Sequence, residues 1–243
     1  MRSSGQILAA ATSAMLALVP AIAGSVPAAT AALNVTPLRL EFKPGQQSSQ
    51  LLLRNDSAQR LAVQFRLFAW TQDEAGDHYE LSQDFVISPS IVQIGPGLTQ
   101  TFHVVSREPV PSSRERAYRV VIDQLPQSVQ SVDGAAQTRL RITLPLFSGS
   151  GAASEGKLHF AVRGKMLTIL NVGGRSIKLD DTAIMQGGKV VALPNEKGPH
   201  YVLGGARLQF ALPPGIACKG PEIRVIGHIE RKAFDEAAPQ ICA

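Results

Sequence analysis

The chain is poor in the residues and motifs that usually carry catalysis. It has only two cysteines, Cys218 and Cys242, and neither belongs to a CxxC motif or a partnered Cys/His arrangement, which argues against a reactive thiol. The five histidines, at positions 78, 103, 159, 200 and 228, never form HxH, HxxH or HExxH, so no metal site is signalled. No GxSxG occurs. The nearest run, Gly149-Ser150-Gly151, falls in a polar stretch rather than on a strand-to-helix elbow, against a serine hydrolase. GxGxxG and Walker loops are missing too, and Gly173-Gly174 and Gly204-Gly205 suit turns between strands better than phosphate cradles. Asp180-Asp181 reads as a solvated turn, because neighbours on a strand point to opposite faces and cannot act as a carboxylate pair. The expectation is a non-enzymatic protein without a cofactor.

Charge is also sparse, at 18% of residues, against 44% hydrophobic ones and no polar low-complexity tract, which is a globular composition. The net charge of +5 is scattered, with no basic run and no RNP-type or helix-turn-helix pattern, so nucleic acid is not an expected partner. Only one long apolar run exists. Arg2 provides a positive start, Ile7 to Ala23 is apolar, and Ala29-Thr30-Ala31 offers small residues for cleavage, so residues 1–32 read as a secretory signal. Pro20 and Pro27 argue against an uncleaved anchor. Arg2 is the only charge in that segment, so its removal leaves a balance of +4.

Export into an oxidising compartment favours pairing of Cys218 with Cys242, the alternative being two buried thiols. Such a bridge would contribute roughly 3 kcal/mol in the chain-entropy model.

Helical periodicity is nearly absent from Leu33 onward, and short alternating segments separated by turn residues replace it. Expected strands are Leu33 to Phe42, Gln50 to Asn55, Ala62 to Trp70, Phe85 to Ser88, Ile91 to Ile94, Thr99 to Ser106, Tyr118 to Leu125 and Thr138 to Phe147. Turn signals separate them at Lys43-Pro44-Gly45, Asn55-Asp56-Ser57, Glu74 to Asp77, Gly95-Pro96-Gly97 and Asp133-Gly134. This series fits an immunoglobulin-like sandwich over residues 33–148. Residues 149–156, in the run SGSGAASEG, read as a linker.

A second series follows at Lys157 to Val162, Met166 to Asn171, Ile177 to Asp181, Lys189 to Leu193, Tyr201 to Leu203, Arg207 to Ala211 and Glu222 to Ile229. It makes residues 157–243 a second β-sandwich, so the fold class is all-β with two immunoglobulin-like domains.

The segment Thr138 to Phe147, TRLRITLPLF, sets Leu140, Ile142, Leu144 and Leu146 on one face and Arg139, Arg141, Thr143 and Pro145 on the other. It closes the first domain after the polar stretch Pro126 to Gln137, and its proline suits an edge strand. An edge with alternating apolar teeth is what strand addition to a partner requires.

Several positions together resemble the PapD-like fimbrial chaperones. Leu38 to Phe42 is similar to that family's first strand, with Leu38 in place of a threonine before Arg39. Asn55-Asp56-Ser57 resembles its N-x-S turn, and Val63 to Trp70 its third strand ending in tryptophan. Ile94 to Val104 resembles its PG turn and following strand, with His103 where arginine is commoner. Arg116 to Val120 with Leu125-Pro126 is similar to the strand ending in leucine-proline, and the Tyr118-Arg119 pair is closer to the archaic branch. Ser148-Gly149-Ser150 departs from the arginine-proline that many members carry there.

The resemblance implies a periplasmic chaperone that binds pilus subunits by donor-strand complementation and delivers them to an outer-membrane usher. By the same resemblance, Leu140, Ile142, Leu144 and Leu146 would enter the subunit's groove. Arg39 would grip the subunit's terminal carboxylate, with Arg119 or Arg141 as the second cation. The alternative is a secreted two-domain immunoglobulin-like binding or adhesion protein.

Overall fold

Pro37, which has no N–H to give a ladder, divides the first apolar stretch into two strands that lie in different sheets. The computed structural model describes residues 33–110, 114–126, 140–149, 151, 153–193 and 201–242. The expected signal segment, most of the polar stretch Pro126 to Gln137, the Asp133-Gly134 turn and His200 lie outside the described residues. Leu33 to Phe42 is therefore not one strand. Its first part, β1 (Leu33–Thr36), pairs with β3 (Ser48–Asn55), whereas β2 (Leu40–Phe42) joins the facing sheet.

The first sandwich continues with β4 (Leu61–Asp73), β5 (Gly76–Leu81), β6 (Phe85–Ser88), β7 (Ile91–Ile94), β8 (Thr99–Ser106), β9 (Arg116–Gln124) and β10 (Arg141–Ser148). One sheet has the order β1-β3-β8-β6. The other runs β2-β10-β9-β4-β5, with β7 also on β4. Alternation puts Leu51 and Leu53 of β3, Val63 and Phe65 of β4, Phe102 and Val104 of β8 and Val120 and Ile122 of β9 into one core. β5 escaped sequence reading because its residues are almost all exposed, and its place is fixed by the backbone ladder from Trp70↔Tyr79 to Asp73↔Gly76.

In the second sandwich, β11 (Leu158–Arg163), β12 (Met166–Asn171), β16 (Arg207–Ala211) and β19 (Gln240–Ile241) form one sheet, in the order β16-β12-β11-β19. The other sheet has β14 (Lys189–Ala192), β13 (Ile177–Gln186), β17 (Ile223–Ile229) and β18 (Lys232–Ala237), with β15 (Tyr201–Val202) on β13. The expected turn at Asp180-Asp181 is instead a bulge inside β13. There Asp181 adopts a φ of 51° and points to solvent, while Asp180 pairs with Lys178 at 2.8 Å. Cys218 and Cys242 form a disulfide with a Cα–Cα distance of 5.5 Å, which ties the segment after β19 to the loop before β17.

Each sandwich fastens a corner with a fully buried asparagine. The Nδ2 of Asn55 donates to Gln59 O at 2.7 Å and to Ile94 O at 2.9 Å, and its Oδ1 accepts from Ser57 N at 3.0 Å. Asn171 repeats the scheme: Nδ2 donates to Arg175 O at 2.7 Å and Val202 O at 3.0 Å, and Oδ1 accepts from Gly173 N at 3.0 Å. Satisfying all these buried groups is what makes a polar side chain tolerable there. In the second sandwich the bond to Val202 also fixes β15.

Between the sandwiches no strand forms among the described residues from Gly149 to Lys157, and this part of the connection is packed rather than loose. Gly149 N donates to Phe42 O at 2.8 Å. A Cβ at Gly173 would come within 1.9 Å of Glu155 O, so the chain can pass there only over glycine.

Candidate functional site

β10 is the element on which the site is built. Gln124 N donates to Leu140 O at 2.9 Å, and the register continues Ile142↔Ile122, Leu144↔Val120 and Leu146↔Tyr118. In an antiparallel ladder such residues spend their N–H and C=O on the neighbour. Arg141, Thr143 and Pro145 therefore turn their backbone groups to the other side. β2 covers that side only at Leu146↔Leu40 to Ser148↔Phe42, so among the described residues Arg141 to Pro145 present an unpaired edge. Pro145 sits where its missing N–H would face off this edge, a position that tolerates proline.

The four apolar teeth are not equivalent. Leu146 is wholly buried and Leu144 is 3% exposed, both within the first sandwich's own core, whereas Leu140 and Ile142 are only partly buried at its margin. This corrects the expectation that all four enter a partner's groove. Leu144 and Leu146 are spent in the chain's own core, whereas Leu140 and Ile142 keep part of their surface exposed.

The opposite face of the same sheet meets the second sandwich. Phe147↔Ala117 and Ala117↔Trp70 form one row across β10, β9 and β4, and both Phe147 and Trp70 are buried against second-sandwich residues, Tyr201 among them. Two arginines flank this row. Arg39, just before β2, places its Cζ 4.7 Å from the Phe147 ring centroid and 5.8 Å from that of Tyr201. Arg119 of β9 stacks its Cζ 3.7 Å from the Trp70 ring and 5.7 Å from Tyr201. Of the expected cations, Arg39 and Arg119 are thus brought around one ring.

Arg141 is not part of this group. Its Nε binds Asp123 Oδ1 at 2.6 Å, and Arg66 holds the other oxygen of the same carboxylate. Burial of Asp123 works against its charge, but the bonds from Arg141 and Arg66 outweigh it and hold its pKa below the usual value. The register places Asp123 four residues from Arg119 along β9, which is ~13 Å of strand. Arg141 is therefore corrected from carboxylate anchor to partner of Asp123.

Arg39 already has carboxylate company. Its Nε lies 2.6 Å from Glu41 Oε1, and its Nη1 donates to Glu230 Oε1 at 3.2 Å across the sandwiches. The first contact is close, but its N–H does not point at the oxygen, so it is an ion pair and not a hydrogen bond. Partial burial opposes the charge of Arg39, and Glu41, Tyr201 and Glu230 together hold its pKa above the ordinary arginine value. Glu230 stands in the β17–β18 turn with a φ of 46°, half-exposed and replaceable. Arg39, Glu41 and Glu230 border a cleft of about 780 Å³, whose other wall includes Lys157, His159 and Arg175.

Sequence reading missed Phe147, Tyr201 and Glu230. Phe147 gave a usable signal, since a large aromatic on the polar face of an edge strand needs a cover. Tyr201 and Glu230 gave none, because only the packing of one sandwich on the other brings them here.

Glu115 closes this junction from below. Its Oε1 accepts from Ser176 N at 2.7 Å, while its buried Oε2 makes no hydrogen bond among the described residues. Burial pushes its pKa up, against the opposing effects of Ser176, Arg39 and Arg175. A carboxyl with a raised folded pKa binds its proton more tightly in the native state, so its contribution to stability is lost as pH rises through the carboxylate range. The Glu115→Gln variant is thus expected to melt a few degrees higher than the wild type at pH 7. The gap should close near pH 3, below the carboxylate range, where both states of the wild type are protonated, as thermal melts at the two pH values will register.

Comparison with known proteins bears on the fold. Residues 32–149 match the family model described as pili and flagellar-assembly chaperone, PapD N-terminal domain. No curated protein matches the chain in sequence. A chain of the CsuC–CsuE chaperone-tip adhesion subunit pre-assembly complex, from the archaic chaperone-usher Csu pili of Acinetobacter baumannii, is 22% identical with a TM-score of 0.65, covering 87% of this chain and all of that one. The E. coli chaperone DraB gives 17% identity and a TM-score of 0.61, covering 85% of this chain and 96% of its own. A chain of the Salmonella enterica complex of SafA pilin with the SafB chaperone gives 16% and 0.62, over 84% and 95%. At these identities the likeness establishes a fold of two immunoglobulin-like sandwiches.

Proposed function

From the match of residues 32–149 to the PapD N-terminal chaperone domain, we propose that this chain is a PapD-like pilus-assembly chaperone that captures pilus subunits in the periplasm by lending them β10 as a missing strand. The observation that carries the reading is the alignment of the open edge with Arg39. β2 runs parallel to β10 with Leu40 opposite Leu146, so Arg39 stands level with Pro145, at the end of the unpaired stretch. A subunit strand laid parallel to β10 beside Arg141 to Pro145 is collinear with β2, and its C-terminal carboxylate arrives at Arg39. There it replaces Glu230, and Arg119 supplies a second positive charge.

Backbone bonds to Arg141, Thr143 and the Pro145 carbonyl pair the edges, while Leu140 and Ile142 fill the groove. Each apolar side chain contributes ~1.5–3 kcal/mol where burial is complete. The anchor sets register, because a one-residue slip would turn every tooth to the wrong face. No bond is made or broken and no cofactor takes part. The subunit leaves when a strand of another subunit takes the place of β10, a hand-over for which an outer-membrane usher is the fitting platform.

Co-expression with the small secreted proteins encoded beside this chain, followed by size-exclusion and mass analysis, tests the proposal. A one-to-one complex with a subunit that is degraded when made alone is expected. Neighbours that are stable alone and form no complex would favour a free-standing binding module instead.

A further inference from the structure

Two guanidinium groups that are meant for one carboxylate repel each other until it arrives, so something must hold them. Arg119 has no ion-pair partner among the described residues, and its buried Nε makes no hydrogen bond. It lies against the Trp70 ring, with Tyr201 beside that ring and the Tyr79 hydroxyl also interacting with its guanidinium. Arg39 lies beside the neighbouring rings of Phe147 and Tyr201, in addition to its ion pairs with Glu41 and Glu230. Of the rings among the described residues, Tyr201 alone is within reach of both cations, and both distances fall inside the ~6 Å over which a ring attracts a cation.

The ring is itself fixed. Tyr201 is 7% exposed, packs edge-on to Trp70 at 5.8 Å and lies 5.4 Å from Phe147. Its backbone is clamped to the first sandwich by Gln72, whose Nε2 donates to Tyr201 O at 2.9 Å and whose Oε1 accepts from Leu203 N at 2.8 Å.

On the carboxylate-anchor reading above, we propose that Tyr201 is the positioning residue of the anchor. Its ring holds Arg39 and Arg119 together, so the second sandwich, which contributes neither cation, sets how strongly the site prefers a terminal carboxylate.

The test uses the full chain and a fifteen-residue C-terminal peptide of a copurifying pilus subunit, prepared as the free acid and as the C-terminal amide. Wild type is expected to bind the acid roughly thirty-fold more tightly than the amide, and Tyr201→Met to reduce that ratio to about threefold. The Tyr201→Phe variant keeps the ring and should retain most of the preference. Trp70, the only tryptophan, reports the stack directly: its emission should shift in the Met variant, where Arg119 is released, and not in the Phe variant.

An undiminished ratio in folded Tyr201→Met overturns the inference. Should that variant not accumulate, loss of the ratio in Tyr201→Phe overturns it equally, since the ring would then not be the cause. A wild-type chain that binds both peptides alike removes the carboxylate anchor itself, which is a distinct failure.

Discussion

Arg39→Ala is expected to leave a folded chain that no longer retains its subunit. Removing one partner of a desolvated, hydrogen-bonded charge pair costs about 3 kcal/mol, which is roughly a hundredfold in affinity, because the subunit's carboxylate then enters the cleft with no strong cation. Stability should change little by comparison. The pairs that Arg39 makes with Glu41 and Glu230 involve carboxylates that are partly open to solvent, and pairs screened in that way are worth ~0–1 kcal/mol.

The conservative variant separates charge from shape. Lysine at position 39 keeps the positive charge but lacks the planar fork that lies against Phe147 and Tyr201, so Arg39→Lys should be intermediate, weaker by about tenfold. Extending the subunit's C-terminus by two residues displaces its carboxylate and should weaken binding to wild type as much as Arg39→Ala does. The two changes together should cost little more than either alone, the signature of one shared contact. A subunit that stays bound to Arg39→Ala, with the melting temperature unchanged, would remove Arg39 from the anchor.

What could be read from the sequence, and what could not, follows from the range of the interactions involved. Ile91 to Ile94, Thr99 to Ser106, Met166 to Asn171 and Arg207 to Ala211 are strands with the bounds that their own patterns suggest, because one buried face imposes alternation on each. β5 and β18 lie at sheet edges with most side chains in solvent, so a backbone ladder holds them and leaves almost no trace in side-chain pattern.

The site shows the same division. Alternation along β10 shows that Leu140, Ile142, Leu144 and Leu146 share a face. It carries no information on where β2 ends beside them, and that endpoint is what separates core teeth from free ones. Likewise Arg119 and Arg141 both occupy the polar face of their strands. Which of them stands near Arg39 is decided by cross-strand register and by the position of Tyr201, neither of which is local.

That distinction between teeth gives the second large effect. Ile142→Asp should fold and still lose the subunit. The side chain sits at the margin of the core and is only partly buried, so in the free chain the carboxylate can turn to water, at about 1 kcal/mol of stability. In the complex the same carboxylate would be driven into an apolar groove without a partner, a cost of several kcal/mol that should abolish detectable complex. Leu146→Asp is the contrasting variant, since that residue is 0% exposed and a buried unpaired charge there should unfold the first sandwich. Circular dichroism and copurification of the subunit, measured on both variants, decide between the roles. A folded Leu146→Asp chain, or an Ile142→Asp chain that still carries its subunit, would mean that β10 does not meet the partner with the face that alternation and burial assign to it.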